Sequence, residues 1–268
     1  MITMSGFNGI EGDVNAPGEI PIWMAVLYFI VVGGVYVAAL ATKKMRFSTL
    51  DLVYIGIGGA LSVVLEFYVG PIFSRAIPKI PGLDISFDLR LFMVSIFAAI
   101  IRKPGAAAAM LALFDILGDI FHYGFGGEPV FLIYEAFTYG FFIDLVTFLS
   151  GNHLFGIGMK KMSASKTLLA GFFPAAARSS TSTVSISEEE EQKDLSWVPL
   201  VIVQAIVIGI LVSTADPIFY DGFFSPFLSG GVVTWSALIF KFLSYIPWNV
   251  ITVFLAGIVA RRVAKVLG

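Results

Sequence analysis

Seven long apolar runs, separated by polar connections, leave few folds open to this chain. They cover residues 20–40, 50–69, 87–101, 105–122, 129–149, 197–215 and 235–260, the third being the shortest. A helix needs about 20 largely apolar residues to cross a bilayer, with a range near 17–25. The expectation is therefore an all-α fold, a polytopic transmembrane bundle of seven helices. Composition agrees: of 268 residues, 57% are hydrophobic and only 13% charged, against about 25% in a typical soluble domain. So few charges cannot solvate a globule of this size. The chain has no cysteine, which excludes disulfides, thiolate metal sites and cysteine nucleophiles. His122 and His153 are the only histidines, which argues against a multi-histidine metal site. Glu11, Asp13 and Glu19 precede the first run without any basic residue. A cleaved signal peptide wants a positive start, so this run is expected to be a retained helix.

The net charge of −2 names no partner, but the placement of the charges is informative. Assigning alternate connections to opposite sides puts Lys43, Lys44, Arg46, Arg102, Lys103, Lys160, Lys161, Lys166, Arg178, Lys193, Arg261, Arg262 and Lys265 on one side. The other side receives Arg75 and Lys79, while Arg90 and Lys241 fall inside expected helices. Short basic connections stay in the cytosol. The expected topology is a cell-membrane protein with its N-terminus outside and its C-terminus cytosolic.

This divides the chain into an extracellular N-terminus with a first helix (1–46), a six-helix membrane domain (47–150 and 197–268) and a cytosolic insert (151–196). The insert holds a Ser/Thr run and then Glu188-Glu189-Glu190-Glu191, a composition that cannot bury a core and is expected to be disordered. Its apolar stretch, 168–177, is too short to span and reads as an interfacial or partner-binding patch. Arg102-Lys103-Pro104-Gly105 reads as a tight hairpin, with Pro104 pre-set for the first turn of the following helix.

Ionisable groups inside spanning helices are expensive and by default mark a functional site. On the expected topology Glu66, Asp88, Arg90, Asp119, His122, Glu135 and Lys241 lie in the outer half, Asp115 near the middle and Asp144 toward the cytosol. Helical spacing places Asp115, Asp119 and His122 on one face, Glu135 and Tyr139 on another, and Lys241, Tyr245, Trp248 and Asn249 on a third. These stripes suggest an outward-opening pocket lined by Glu66, Asp119, His122, Glu135, Tyr139, Lys241, Tyr245, Trp248 and Asn249. Each also has a plainer reading. Arg90 could partner Asp88, Lys241 could be the counter-ion of Asp119 or Glu135, and Glu66 and Asp88 could reach the interface. Gly56 and Ala60 share a small-x-x-x-small spacing, repeated by Ala108 and Ala112, which suits either packing within the chain or docking of a subunit.

Two stretches carry a resemblance. Ile101-Arg102-Lys103-Pro104-Gly105-Ala106-Ala107 looks like a basic-Pro-Gly-Ala hairpin, and Tyr139-Gly140-Phe141-Phe142-Ile143-Asp144-Leu145 looks like a Gly-x-x-x-acid pattern, with Asp144 where Glu is expected. With the first helix set aside, the chain resembles the substrate-binding S-components of energy-coupling factor (ECF) vitamin transporters, most closely the YkoE-like family associated with thiamin and hydroxymethylpyrimidine. The resemblance covers about 48–262 without the insert; the first helix, Asp144 and the insert depart from it. It implies capture of a vitamin or precursor, no catalysis and no bound cofactor, with docking through Gly56 and Ala60. It also implies a transmembrane coupling subunit and two cytosolic ATPases that hydrolyse ATP. The chain has no Gly-x-x-x-x-Gly-Lys-Ser/Thr loop with which to drive itself.

Two other readings compete. Seven helices with a lysine in the last also describe a microbial rhodopsin, Lys241 forming the Schiff base with retinal. Asp115-x-x-x-Asp119 matches one of the two metal-diphosphate motifs of membrane prenyltransferases.

Overall fold

A computed structural model describes residues 22–41, 45–124, 129–159, 197–225 and 234–267. The expectations placed on 1–21, on Lys43 and Lys44, and on 160–196 lie outside the described residues. Among the described residues the fold is all-helical, without strands. Its seven helices are α1 (Ile22–Ala41), α2 (Thr49–Ala76), α3 (Ile85–Ile101), α4 (Ala106–Phe121), α5 (Val130–Leu149), α6 (Val198–Phe224) and α7 (Trp235–Leu267). Five of them, α1, α2, α5, α6 and α7, are long and apolar enough to cross a membrane. The other two, α3 with 17 residues and α4 with 16, are shorter.

Local chemistry sets the starts of α2 and α3. Ser48 and Asp51 form a reciprocal capping box at α2, and Asp84 accepts from the backbone N–H groups of Ser86 and Phe87 at α3. The turn between α3 and α4 needs two left-handed residues, Arg102 (φ 56) and Gly105 (φ +92). Pro104 lies in that turn, two positions before α4, and not in the first turn of the helix as expected. A cap from another helix completes the start of α4. Buried Asp144 of α5 accepts from Ala107 N and Ala108 N, each at 3.1 Å, and from Tyr36 Oη of α1 at 3.0 Å. A carboxylate against unpaired N–H groups at a helix N-terminus is favourable electrostatically, and this accounts for Asp144 as an element of structure.

Small residues bring the helices together. A Cβ on Gly140 would lie 2.6 Å from Ala108 Cα, and one on Gly209 of α6 would lie 2.8 Å from Val250 N of α7. Ala108 thus serves packing within the chain. Gly56 faces open space and Ala60 is exposed. α1 is the least embedded helix. It leans on the middle of α5 and on α6 through Tyr28, whose hydroxyl donates to Phe137 O at 2.6 Å and whose ring lies 4.5 Å from that of Phe219.

Three helices outrun their expected ends, α7 running past Ala260 to Leu267. α2 continues past Val69 to Ala76, and α6 continues past Ala215 to Phe224. Both expected ends stood just before a proline, Pro71 and Pro217, a residue that ordinarily stops a helix by steric clash and a missing N–H. Here the chain passes each proline with a π-helical turn, Val64–Val69 before Pro71 and Ala215–Phe224 around Pro217. A third π turn, Ala136–Gly140, interrupts α5. Such turns let a helix absorb one surplus residue, and they recur at functional sites.

The disordered segment expected over 151–196 begins too early. Residues 151–159 fold back onto the bundle through a short 3₁₀ turn, Leu154–Gly156, in which Leu154 and Phe155 are fully buried. Phe155 N donates to Gln204 Oε1 at 2.5 Å, and Phe155 O accepts from Arg261 Nη1 at 2.9 Å.

Candidate binding site

The three π turns supply residues to one region of the bundle, Glu66 from the first, Tyr139 from that in α5, and Asp216 and Tyr220 from that in α6. Two adjoining cavities of about 380 and 590 Å³ open there. Arg90 of α3 stands between them, and Glu66, Phe131, Glu135 and Tyr220 line both.

Arg90 is 5% exposed and forms ion pairs with two carboxylates. Its Nε lies 2.8 Å from Glu66 Oε2, and its Nη1 lies 2.7 and 2.5 Å from the two oxygens of Glu135. The Phe114 ring sits 4.5 Å from the guanidinium carbon, and the Phe87 ring 5.1 Å from it. A flat, delocalised cation suits this place because it can satisfy two carboxylates at its edge and meet aromatic faces. The alternative partner, Asp88, instead accepts from Thr252 Oγ1 at 3.0 Å.

The smaller cavity adds Asp84, Tyr134, Tyr139, Asp216, Tyr245 and Asn249. Asp216 is its organising acid, accepting from Tyr139 Oη (3.2 Å), Tyr245 Oη (3.1 Å) and Lys241 Nζ (3.0 Å). Lys241 also reaches Asp221 at 2.8 Å. The lysine is therefore the counter-ion of two aspartates of α6, and neither Asp119 nor Glu135 is its partner. Asn249 is anchored, its amide donating to Ser213 Oγ at 2.8 Å.

The larger cavity adds Asp115, Asp119, Phe67, Phe114 and Tyr123. One oxygen of Asp115 is buried there without a hydrogen-bond partner.

Of the residues expected to line a pocket, Glu66, Asp119, Glu135, Tyr139, Tyr245 and Asn249 do so, and Lys241 holds the rim through Asp216. His122 and Trp248 lie elsewhere. His122 is exposed and stacks on Phe67 at 4.4 Å, and the Trp248 indole donates to Pro81 O at 3.2 Å. Sequence reasoning missed Asp216, Tyr220 and Asp221, because it ended the sixth helix at Ala215. Two acids flanking Ile218-Phe219-Tyr220, with Phe223 and Phe224 to follow, were the available sign that the helix went on.

The lining thus combines six carboxylates (Glu66, Asp84, Asp115, Asp119, Glu135 and Asp216) with one guanidinium and a set of aromatic rings. Chemically it can hold a flat, donor-rich or cationic group. No family model, curated protein or solved structure matches the chain.

Proposed function

We propose that the chain is the membrane-embedded substrate-binding component of an ECF-type vitamin uptake transporter, capturing thiamin or its hydroxymethylpyrimidine precursor. The observation that carries this reading is the pair of aromatic-walled cavities in which carboxylates outnumber cations. An aminopyrimidine offers a ring nitrogen and an amine for a carboxyl group to pair with. Its flat ring can stack on Phe131 or Tyr220, and a thiazolium cation gains about 0.5–2 kcal/mol against aromatic faces. An anionic vitamin would instead add charge to an acidic wall. Orientation follows from the basic connections, with the cavities facing outward and the C-terminus in the cytosol. Gly56 and Ala60, open to the surroundings, supply a smooth face for a coupling subunit, and ATP is hydrolysed by partner ATPases.

Titration calorimetry on the detergent-purified chain tests the reading with thiamin, hydroxymethylpyrimidine and biotin. One of the first two should bind best. Asp119→Asn should weaken it by about 1.5–3 kcal/mol, the worth of a hydrogen bond to a charged group. Tyr220→Ala should weaken it by removing an aromatic wall common to both cavities. Preferential binding of biotin, or unchanged affinity in both variants, refutes the assignment.

A further inference from the structure

Two cations neutralise acids of the smaller cavity, and they are held in different ways. Arg90 is sealed between Glu66 and Glu135, its side chain 6% exposed. Lys241 stands at the rim, where its side chain and that of Asp216 are each 30% exposed. Its ammonium has two partners, Asp216 Oδ2 at 3.0 Å and Asp221 Oδ2 at 2.8 Å. The π turn of α6 makes this double pairing possible. At about 100° per residue, positions five apart on an α-helix point about 140° away from each other. The i→i+5 bonds of a π-helix set such positions one above the next, and Ala215–Phe224 is π-helical. One lysine of α7 therefore spans both aspartates. Asp216 lines the cavity together with Tyr139, Tyr220 and Tyr245. Tyr139 donates to its Oδ1 and Tyr245 to its Oδ2, so the carboxylate keeps its aim without the lysine. The Tyr220 ring, with its centroid 5.9 Å from the ammonium, already faces positive charge.

We propose that Lys241 is an exchangeable counter-ion: an organic cation entering the smaller cavity takes its place on Asp216, and the ammonium keeps Asp221. Asp216 then trades one cation for another, and Lys241 retains a partner. Neither is left as an uncompensated charge, the costly state in a poorly solvated site. A lysine suits such an exchange, being a point charge on a flexible stem, where the planar fork of an arginine would grip the carboxylate at two points. A neutral ligand brings no charge to Asp216 and cannot repay the lost pair, so the rim selects for positive charge. The exchange rests on the reading of this cavity as a binding site, but not on a vitamin being its ligand.

The test uses the full chain in detergent and two probes, benzylammonium and benzyl alcohol, which share a ring and differ in an ammonium or a hydroxyl group. Their binding is titrated by ligand-observed NMR at one ionic strength, with thermal unfolding of each variant as the check of folding. The parent should prefer benzylammonium. Lys241→Gln removes the competitor and should tighten benzylammonium by about fivefold, the equivalent of a partly exposed ion pair. Asp221→Asn leaves the lysine with Asp216 alone and should weaken benzylammonium by a similar factor. Both should leave benzyl alcohol unchanged, whereas a merely structural role would move both probes in one direction. On an Asp216→Asn background the gain from Lys241→Gln should vanish, which a general change of charge would not produce. Either single variant decides the matter if the other does not fold. Thiamin, titrated alongside, should follow benzylammonium through the variants. Thiamin failing to bind while benzylammonium keeps the pattern overturns the vitamin reading and leaves the exchange standing. The proposal is overturned if benzylammonium binds no better than benzyl alcohol, if Lys241→Gln fails to tighten it, if Asp221→Asn fails to weaken it, or if the gain survives Asp216→Asn.

Discussion

Arg90→Leu removes the cation that stands between the two cavities, and its cost can be worked from the contacts it breaks. The guanidinium is 5% exposed, and the side chains of Glu66 and Glu135 are 17% and 12% exposed, so little solvent screens the group. Taking one partner from a buried ion pair costs about 3–5 kcal/mol, because the remaining charge stays buried without compensation. Here two carboxylates lose their partner at once, with Asp115 lining the same space. Glu135→Gln is milder. It keeps an oxygen to accept from Arg90 Nη1, leaves Glu66 in place and forfeits the charge-assisted part, about 1–2 kcal/mol. The gap between the variants is therefore about 2–3 kcal/mol, and Arg90→Leu should unfold at the lower temperature by about 5–10 °C. Thermal unfolding of the purified chain in detergent, without added ligand, reads this directly. Adding Glu66→Gln and Glu135→Gln to Arg90→Leu should recover part of the loss, since the orphaned charges go with their partner. If Arg90→Leu unfolds no earlier than Glu135→Gln, charge compensation at Arg90 does not hold this site together.

Two other measurements bear on the fold and its placement. Gly209→Leu should destabilise the bundle by about 1–3 kcal/mol, because even a Cβ there meets Val250 N at 2.8 Å, whereas Gly56→Leu should leave the unfolding temperature unchanged. Should Gly56→Leu destabilise as strongly, its face packs inside the chain. A cysteine replacing exposed Lys79 should react with an impermeant thiol reagent on intact cells, and one replacing exposed Arg262 should not; the reverse pattern would turn the cavities toward the cytosol.

The helix count was legible because apolar runs near 20 residues have few alternatives, and most of the pocket residues were legible because ionisable groups in such runs stand out. Their partners were not. Helical spacing places Lys241 and Tyr245 on one face of α7, but it cannot say that α6 brings Asp216 opposite them. Arg90 sits two positions from Asp88, which makes that pair tempting in sequence, yet neighbours at i and i+2 point to different sides of a helix. The structure gives Arg90 to Glu66 and Glu135, on α2 and α5. Proline was no guide to the ends of α2 and α6 either. It marks an end when the helix is strictly α, and Pro71 and Pro217 both follow or lie within turns that are not.

Those π turns have a consequence for reading the chain as a periodic pattern. Each acts as a phase jump. One residue of α-helix is about 100° of rotation and 1.5 Å of rise, so a surplus residue at Val64–Val69 or Ala136–Gly140 turns everything beyond it by that angle. A hydrophobic stripe drawn along α2 from Thr49 therefore changes face midway, and Glu66 sits on the seam. Removing one residue inside such a turn would restore an unbroken α-helix and conserve its length to within one step. It would also swing Glu66 or Tyr139 out of register with Arg90 and Asp216. Across divergent relatives of this chain, single-residue gaps at these turns would record where the bundle survived and the cavity was rebuilt.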